Sequence, residues 1–157
     1  MPLLGGGLAV AALALPLNVD RSLIVNHEYD NGRTGALAPT EVGAISAYIA
    51  PRRHGSRYEF AAAVPTEVAA LIVHDLQPIL SLTSYNQHEL VPIPQLARLV
   101  SSGQLRFAIL NGACGRHSSR LSAACSPGAA WVRAHGVDVS RRAGLAHSHV
   151  LYELRTR

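Results

Sequence analysis

The chain contains no lysine: its 14 basic residues are all arginine, in 157 residues with a formal charge of +4. That absence rules out a P-loop, whose lysine must reach the phosphates, and neither G-x-G-x-x-G nor G-x-S-x-G occurs. No nucleotide cofactor and no hydrolase elbow are therefore expected. C-x-x-C and H-E-x-x-H are also missing, which leaves a zinc site without its usual spacing. Aromatic residues are scarce at 5% and charged residues amount to 15%, against 48% hydrophobic. The core must then be built from Val, Leu, Ile and small residues, and global disorder is excluded. Seven arginines between Arg116 and Arg157 face only Asp138 and Glu153, so the basic excess gathers in the last quarter. Without a basic helix, a recognition motif or interleaved aromatics, nucleic acid is not an expected partner. The basic excess reads as a solvated surface, or as a face for anionic head groups or a phosphate-bearing ligand.

What is present begins with an uncharged stretch, Met1 to Val19. A bilayer-spanning helix needs roughly 20 apolar residues, so this segment is just long enough. A signal peptide wants a basic start, and none precedes Leu3. The stretch reads better as the outer end of the last membrane helix of a longer protein, with a signal peptide or lone anchor, or a buried core helix, as alternatives. Residues 20–38 are polar and turn-rich, a linker, and residues 39–157 form the expected α/β domain.

Within that domain, apolar runs alternate with helical spacing. A helix is expected from Pro39, burying Val42, Ile45, Tyr48 and Ile49 and ending near His54 and Gly55. Tyr58 to Ala63 reads as a strand, Thr66 to Asp75 as a helix and Ile79 to Thr83 as a strand covered on both faces. Gln95 to Ser102 follows as a helix and Leu105 to Leu110 as a third strand. Ser126 and Pro127 are an N-cap and first-turn proline for a helix over Gly128 to His135. Val137 to Val139 and His149 to Leu154 suggest a closing hairpin. The pattern is that of βαβ units, giving a three-layer Rossmann-like fold, mainly parallel, with helices on both faces.

Ligands of open α/β sheets lie beyond the carboxyl ends of the strands. Three segments emerge there: Val64 to Thr66, Ser84 to Val91 and Asn111 to Ser126. Ser84, Tyr85, Asn86, Asn111 and Gly112 are the expected ligand contacts. Cys114 and Cys125 are the only cysteines. Outside the cytoplasm they are expected to form a disulfide closing the third loop; inside it they would be free thiols. A Cys114–His117 nucleophile lacks a third group to orient its base. His147 and His149, two apart on a strand end, would share a side, and with Cys114, Cys125 or His135 they are the nearest approach to a metal set. Glu59, Glu67, Asp75 and Glu89 form no spaced acid pair in the sequence.

Four segments carry a resemblance: Arg57-Tyr-Glu-Phe-Ala-Ala-Ala63, Pro78-Ile-Leu-Ser-Leu82, the run from Leu96 to Leu110, and Trp131-Val-Arg-Ala-His-Gly136. Together they resemble the C-terminal extracytoplasmic domain of bacterial multi-pass mannosyltransferase-like proteins, relatives of the aminoarabinose and protein-mannosyl transferases. The similarity runs from about Pro39 to Leu154. Two departures stand out, since the glycine-rich turns of that family are replaced here by Thr83 to Glu89 and by Asn111-Gly-Ala-Cys-Gly115. In such enzymes the catalytic acid lies in an early outer loop that this chain does not include. The resemblance therefore implies no catalytic residue here, but a membrane-held accessory domain, or a truncated remnant, of a glycosyltransferase using a polyprenyl-phosphate-sugar donor. Its partners would be membrane lipid, through the N-terminal segment, and a glycan or the lipid-linked sugar. The alternative is a free-standing secreted or anchored module binding a small ligand or partner.

Overall fold

The computed structural model describes residues 37–155, apart from 85, 87, 111–113 and 115–122. The expected membrane segment and nearly all of the linker lie outside the described residues. Among the described residues, no helix is long and apolar enough to cross a membrane.

The chain enters through α1 (Pro39–Ile49), which runs on into a 3-10 turn at Ala50–Arg52. Pro39 suits a first helical turn, and the Glu41 carboxylate accepts from the Ala38 N–H at 3.1 Å. His54 and Gly55, both at positive φ, turn the chain toward β1 (Ala61–Ala62). A 3-10 turn at Pro65–Val68 leads into α2 (Ala69–Asp75), then β2 (Leu80–Ser81). After α3 (Ile93–Ser101), Gly103 at φ 70° supplies the left-handed residue that ends the helix before β3 (Phe107–Ile109). The Ser126 hydroxyl accepts from the Ala129 N–H and caps α4 (Pro127–His135), the cap expected from Ser126-Pro127. β4 (Gly136–Asp138) and β5 (Leu151–Leu154) close the domain.

The strands form one open sheet in the order β2-β1-β3-β5-β4. β1 pairs parallel with β2 and β3, while β5 is antiparallel to both β3 and β4. Only β5 opposes the rest, so this is a mixed α/β fold on a mostly parallel sheet. Alternate strand residues divide between two apolar clusters, as a period of two requires. Phe60, Ala62, Phe107, Ile109 and Leu151 pack with Val42, Ile45 and Ile49 of α1 and with Leu71 of α2. Ala61, Ala63, Ala108, Leu110 and Tyr152 pack with Leu96 and Val100 of α3 and Val132 of α4. Phe60 and Phe107 are completely buried, each worth about 1.5–3 kcal/mol of transfer free energy.

Several expectations change in detail. The first strand's ladder is short, but N–H groups of Tyr58, Glu59 and Ala63 carry the pairing outward to Gln104, Pro78 and Ile109. β2 is not a strand covered on both sides; it is the sheet edge, with Leu80 and Ser81 half-buried. The following loop folds back along that edge, where Leu90 N–H donates to Leu82 C=O and Thr83 bridges Glu89. Such cover removes the free edge as a pairing template. The C-terminal strands do form a hairpin, but β5 inserts between β3 and β4. His147 and His149 precede β5, and His149 has φ 65°, so strand alternation does not set their directions.

Candidate functional site

The crossover through α2 takes the chain to one side of β1, and the crossover through α3 returns it to the other. The strand order therefore reverses between β1 and β3, and a crevice beyond the carboxyl ends of those strands is the default ligand position. Val64 leaves β1 at this edge, Leu82 to Ser84 leave β2, and Leu110 leaves β3. Thr83 ties two of these exits together, since its hydroxyl donates to Ala63 C=O at 2.6 Å.

Of the expected contacts, Ser84 and Asn86 are described, while Tyr85, Asn111, Gly112 and the remainder of the 111–122 loop other than Cys114 lie outside the described residues. Ser84 is fixed by a reciprocal exchange with His88: its N–H donates to His88 C=O, and its hydroxyl accepts from His88 N–H. Asn86 is exposed at the tip. Cys114 and Cys125 are bonded with Cα atoms 4.9 Å apart, so the third loop is tied to the base of α4. With both sulfurs in that bond there is no thiolate at Cys114, which removes the Cys114–His117 nucleophile and the cysteine ligands of the metal set. Among the described residues no group of three or more potential metal ligands forms. His135 is instead occupied, its Nδ1 2.9 Å from Trp131 C=O and its ring stacked on the indole at 4.4 Å.

Two features of the same edge were not visible in the sequence. Glu67 sits in the 3-10 turn after β1, and burial pushes its carboxyl from an ordinary 4.5 up to about 7. Leu37 N–H donates to Glu67 C=O, so the chain enters the described domain at this edge too. Farther along, Asp138 ends β4 and accepts from Ser140 N–H, Ser140 hydroxyl and His149 N–H at 3.0, 2.6 and 2.7 Å. Partial burial pushes the Asp138 carboxyl up, but these hydrogen bonds and His149 together outweigh it and hold it below its ordinary value. His149 Nδ1 lies 3.1 Å from Tyr152 Oη, and burial, then the Asp138 charge, raises the Tyr152 phenol. Ser140, Asp138 and His149 are not a nucleophilic triad: Ser140 is fully buried, and its hydroxyl bonds Asp138 and the Val150 and Leu151 N–H groups. They lock the 140–150 turn.

The opposite end of the sheet corrects the reading of the acids. Glu59 precedes β1 and Asp75 ends α2, and folding brings the two carboxyl groups face to face. Glu59 is 3% exposed, and no donor from the rest of the protein reaches its Oε2 or Asp75 Oδ2, so the hydrogen bond available to them is a proton shared between the two carboxyl groups. Burial first, then the charge and hydrogen bond of Asp75, push the Glu59 carboxyl up to about 7 against the opposing charges of Arg53 and His74. The acids line a cavity of about 300 Å3 together with Ser46, Ala50, Arg53 and Gln77. Fifteen residues lie between the two acids, so no local spacing signals the pair.

Residues 45–135 match the family model described as "Putative mannosyltransferase YkcB-like, C-terminal". No curated protein and no solved structure matches the chain.

Proposed function

As the chain belongs to the family of YkcB-like mannosyltransferase C-terminal domains, we propose that it is an accessory extracytoplasmic domain of a membrane glycosyltransferase. In this reading it helps to position a glycan acceptor or a polyprenyl-phosphate-sugar donor and performs no catalytic step alone. The family match is the observation that carries the proposal. The Cys114–Cys125 bond supports the location, because disulfides persist in oxidising compartments and are rare where thiols are kept reduced. We read the fold as three-layered and Rossmann-like; the two apolar clusters on alternate strand residues support that.

The contact surface is the carboxyl edge of the parallel strands, with Ser84, Tyr85, Asn86, Asn111 and Gly112 as the contacts. Short polar side chains and open backbone suit hydroxyl-rich ligands, which need directional donors and acceptors. The test is calorimetric titration of the full chain, reconstituted in lipid nanodiscs, with a polyprenyl-phosphate-mannose and with short mannosides. Saturable binding is expected, weakened roughly tenfold by Asn86→Ala or Asn111→Ala through loss of one good hydrogen bond. No saturable binding of either sugar class would overturn the proposal.

A further inference from the structure

The outward side of the layer formed by α1 and α2 is uncharged along most of its length. The two helices run side by side, joined where the Ser46 hydroxyl donates to Asp75 Oδ1 at 2.7 Å. Gly43, Ala47 and Ala50 are exposed along one, and Ala69, Ala70 and Val73 along the other. Neither residues 42–51 nor residues 68–73 include a charged side chain. Val73 is 73% exposed, and Leu76, three residues on, is 80% exposed. Leu76 also holds φ 52°, a conformation that glycine takes freely and an L side chain takes at a cost. An apolar side chain held in a strained turn and in water is stabilised by nothing in the described fold. Both facts point to a partner outside the chain.

The charge at the end of this face is of one sign. Residues 50–57 supply Arg52, Arg53, His54 and Arg57 with no acid among them. This turn lies beside the end of α2, since Arg53 donates to Gln77 Oε1 at 2.6 Å. The Arg52 guanidinium lies 4.1 Å from the centre of the Tyr48 ring, and that of Arg57 lies 5.2 Å from the Tyr58 ring. Among the described residues no carboxylate pairs with either arginine. Asp75 is turned inward, half-buried against Ser46 and Glu59, while Glu41 and Glu67 stand at the far ends of the two helices. A protein partner would want large anchors at the centre of the patch, where this face carries glycine and alanine. Shallow apolar residues bordered by arginines instead match the boundary between acyl chains and anionic head groups.

We propose that the α1–α2 face rests on an anionic lipid bilayer, with Val73 and Leu76 inserted at the headgroup boundary and Arg52 and Arg57 against lipid phosphates. The arginine stems reach past the apolar patch and keep their charged heads among the phosphates. The surface is separate from Ser84 and Asn86, and it holds whether or not the carboxyl edge of the sheet binds a sugar.

The experiment is paramagnetic relaxation mapping of the isotope-labelled full chain in lipid nanodiscs that carry a gadolinium-chelate lipid. The discs contain either phosphatidylcholine alone or phosphatidylcholine mixed with phosphatidylglycerol. The readout is which amides broaden, so attachment through residues 1–19 does not imitate the result. Amides of residues 47–57 and 70–77 are expected to broaden most, and only in the phosphatidylglycerol discs. An arginine near an anionic surface is worth about fivefold in affinity, so Arg52→Gln and Arg57→Gln should each weaken docking by about that factor. Leu76→Asn keeps a residue that tolerates the left-handed turn and should reduce the broadening as well, whereas Ser84→Ala should leave it unchanged. Broadening centred on another face, equal broadening in phosphatidylcholine alone, or an undiminished pattern in the folded variants would each overturn the proposal. So would concentration-dependent shifts of the same amides without lipid, which would assign the face to a second copy of the chain.

Discussion

Glu59 makes the pH dependence of stability run opposite to that of a protein held by salt bridges. Its carboxyl keeps a proton up to about pH 7 in the folded chain, against an ordinary value of 4.5. Between these values the folded state binds more protons than the unfolded state, so stability must fall as the pH rises through this window and level off above it. Each pH unit is worth about 1.4 kcal/mol for one proton, giving about 3 kcal/mol across the window. Glu67, half-buried and raised to about 7 as well, adds a smaller, solvent-screened share in the same direction. Urea unfolding followed by far-ultraviolet circular dichroism at pH 5 and pH 8 measures the difference. Glu59→Gln keeps the shape, removes the titration and gives Asp75 Oδ2 a donor. It should be more stable than the parent at pH 8 by about 2 kcal/mol and should retain only the residual slope of Glu67. A parent chain more stable at pH 8 than at pH 5, or a slope that survives Glu59→Gln intact, would refute the reasoning.

Three further outcomes follow from local geometry. Leu76 is 80% exposed and caps α2 at φ 52°, so Leu76→Gly should raise stability by about 0.5–1 kcal/mol in urea unfolding by removing a left-handed strain that no packing repays. A Cβ on Gly136 would lie 2.8 Å from Val132 C=O, with Leu154 and Tyr152 side chains close behind, so Gly136→Ala should lose about 1–3 kcal/mol in the same assay. Reduction of the Cys114–Cys125 bond, which spans a sequence separation of 11, should lower stability by about 3 kcal/mol in the chain-entropy account, read as a shift in the urea midpoint with dithiothreitol.

Features carried by short-range chemistry were legible in the sequence. Ser126-Pro127 announced the start of α4 because capping and a first-turn proline act within one turn, and Gly103 ended α3 as its left-handed freedom allows. The helical spacing of Val42, Ile45 and Ile49 matched the buried face of α1 for the same reason. Features decided by distant partners were not legible. An apolar run such as Ile79 to Leu82 looks the same in a central strand and in an edge strand sheltered by its own loop. The insertion of β5 between β3 and β4 likewise depends on pairings no local signal encodes. The Glu59–Asp75 pair is the sharpest case, since each acid alone is unremarkable and only the descent of α2 along the sheet sets them together. At the carboxyl edge, the sequence pointed to the loops of Ser84 and Asn86 through a general rule of open sheets, while Glu67 and the Asp138–His149–Tyr152 cluster needed the fold.

The central claim, a domain that holds a sugar or its lipid-linked donor at the carboxyl edge of its strands, is tested most directly by amide shift mapping. Isotope-labelled full chain would be titrated with a short-chain polyprenyl-phosphate-mannose and with mannosides. The account predicts saturable shifts clustered at residues 84–91 and 111–126, with the amides around Glu59 and Asp75 unmoved. Shifts confined to the Glu59–Asp75 end, or a folded spectrum that ignores every sugar ligand, would contradict it.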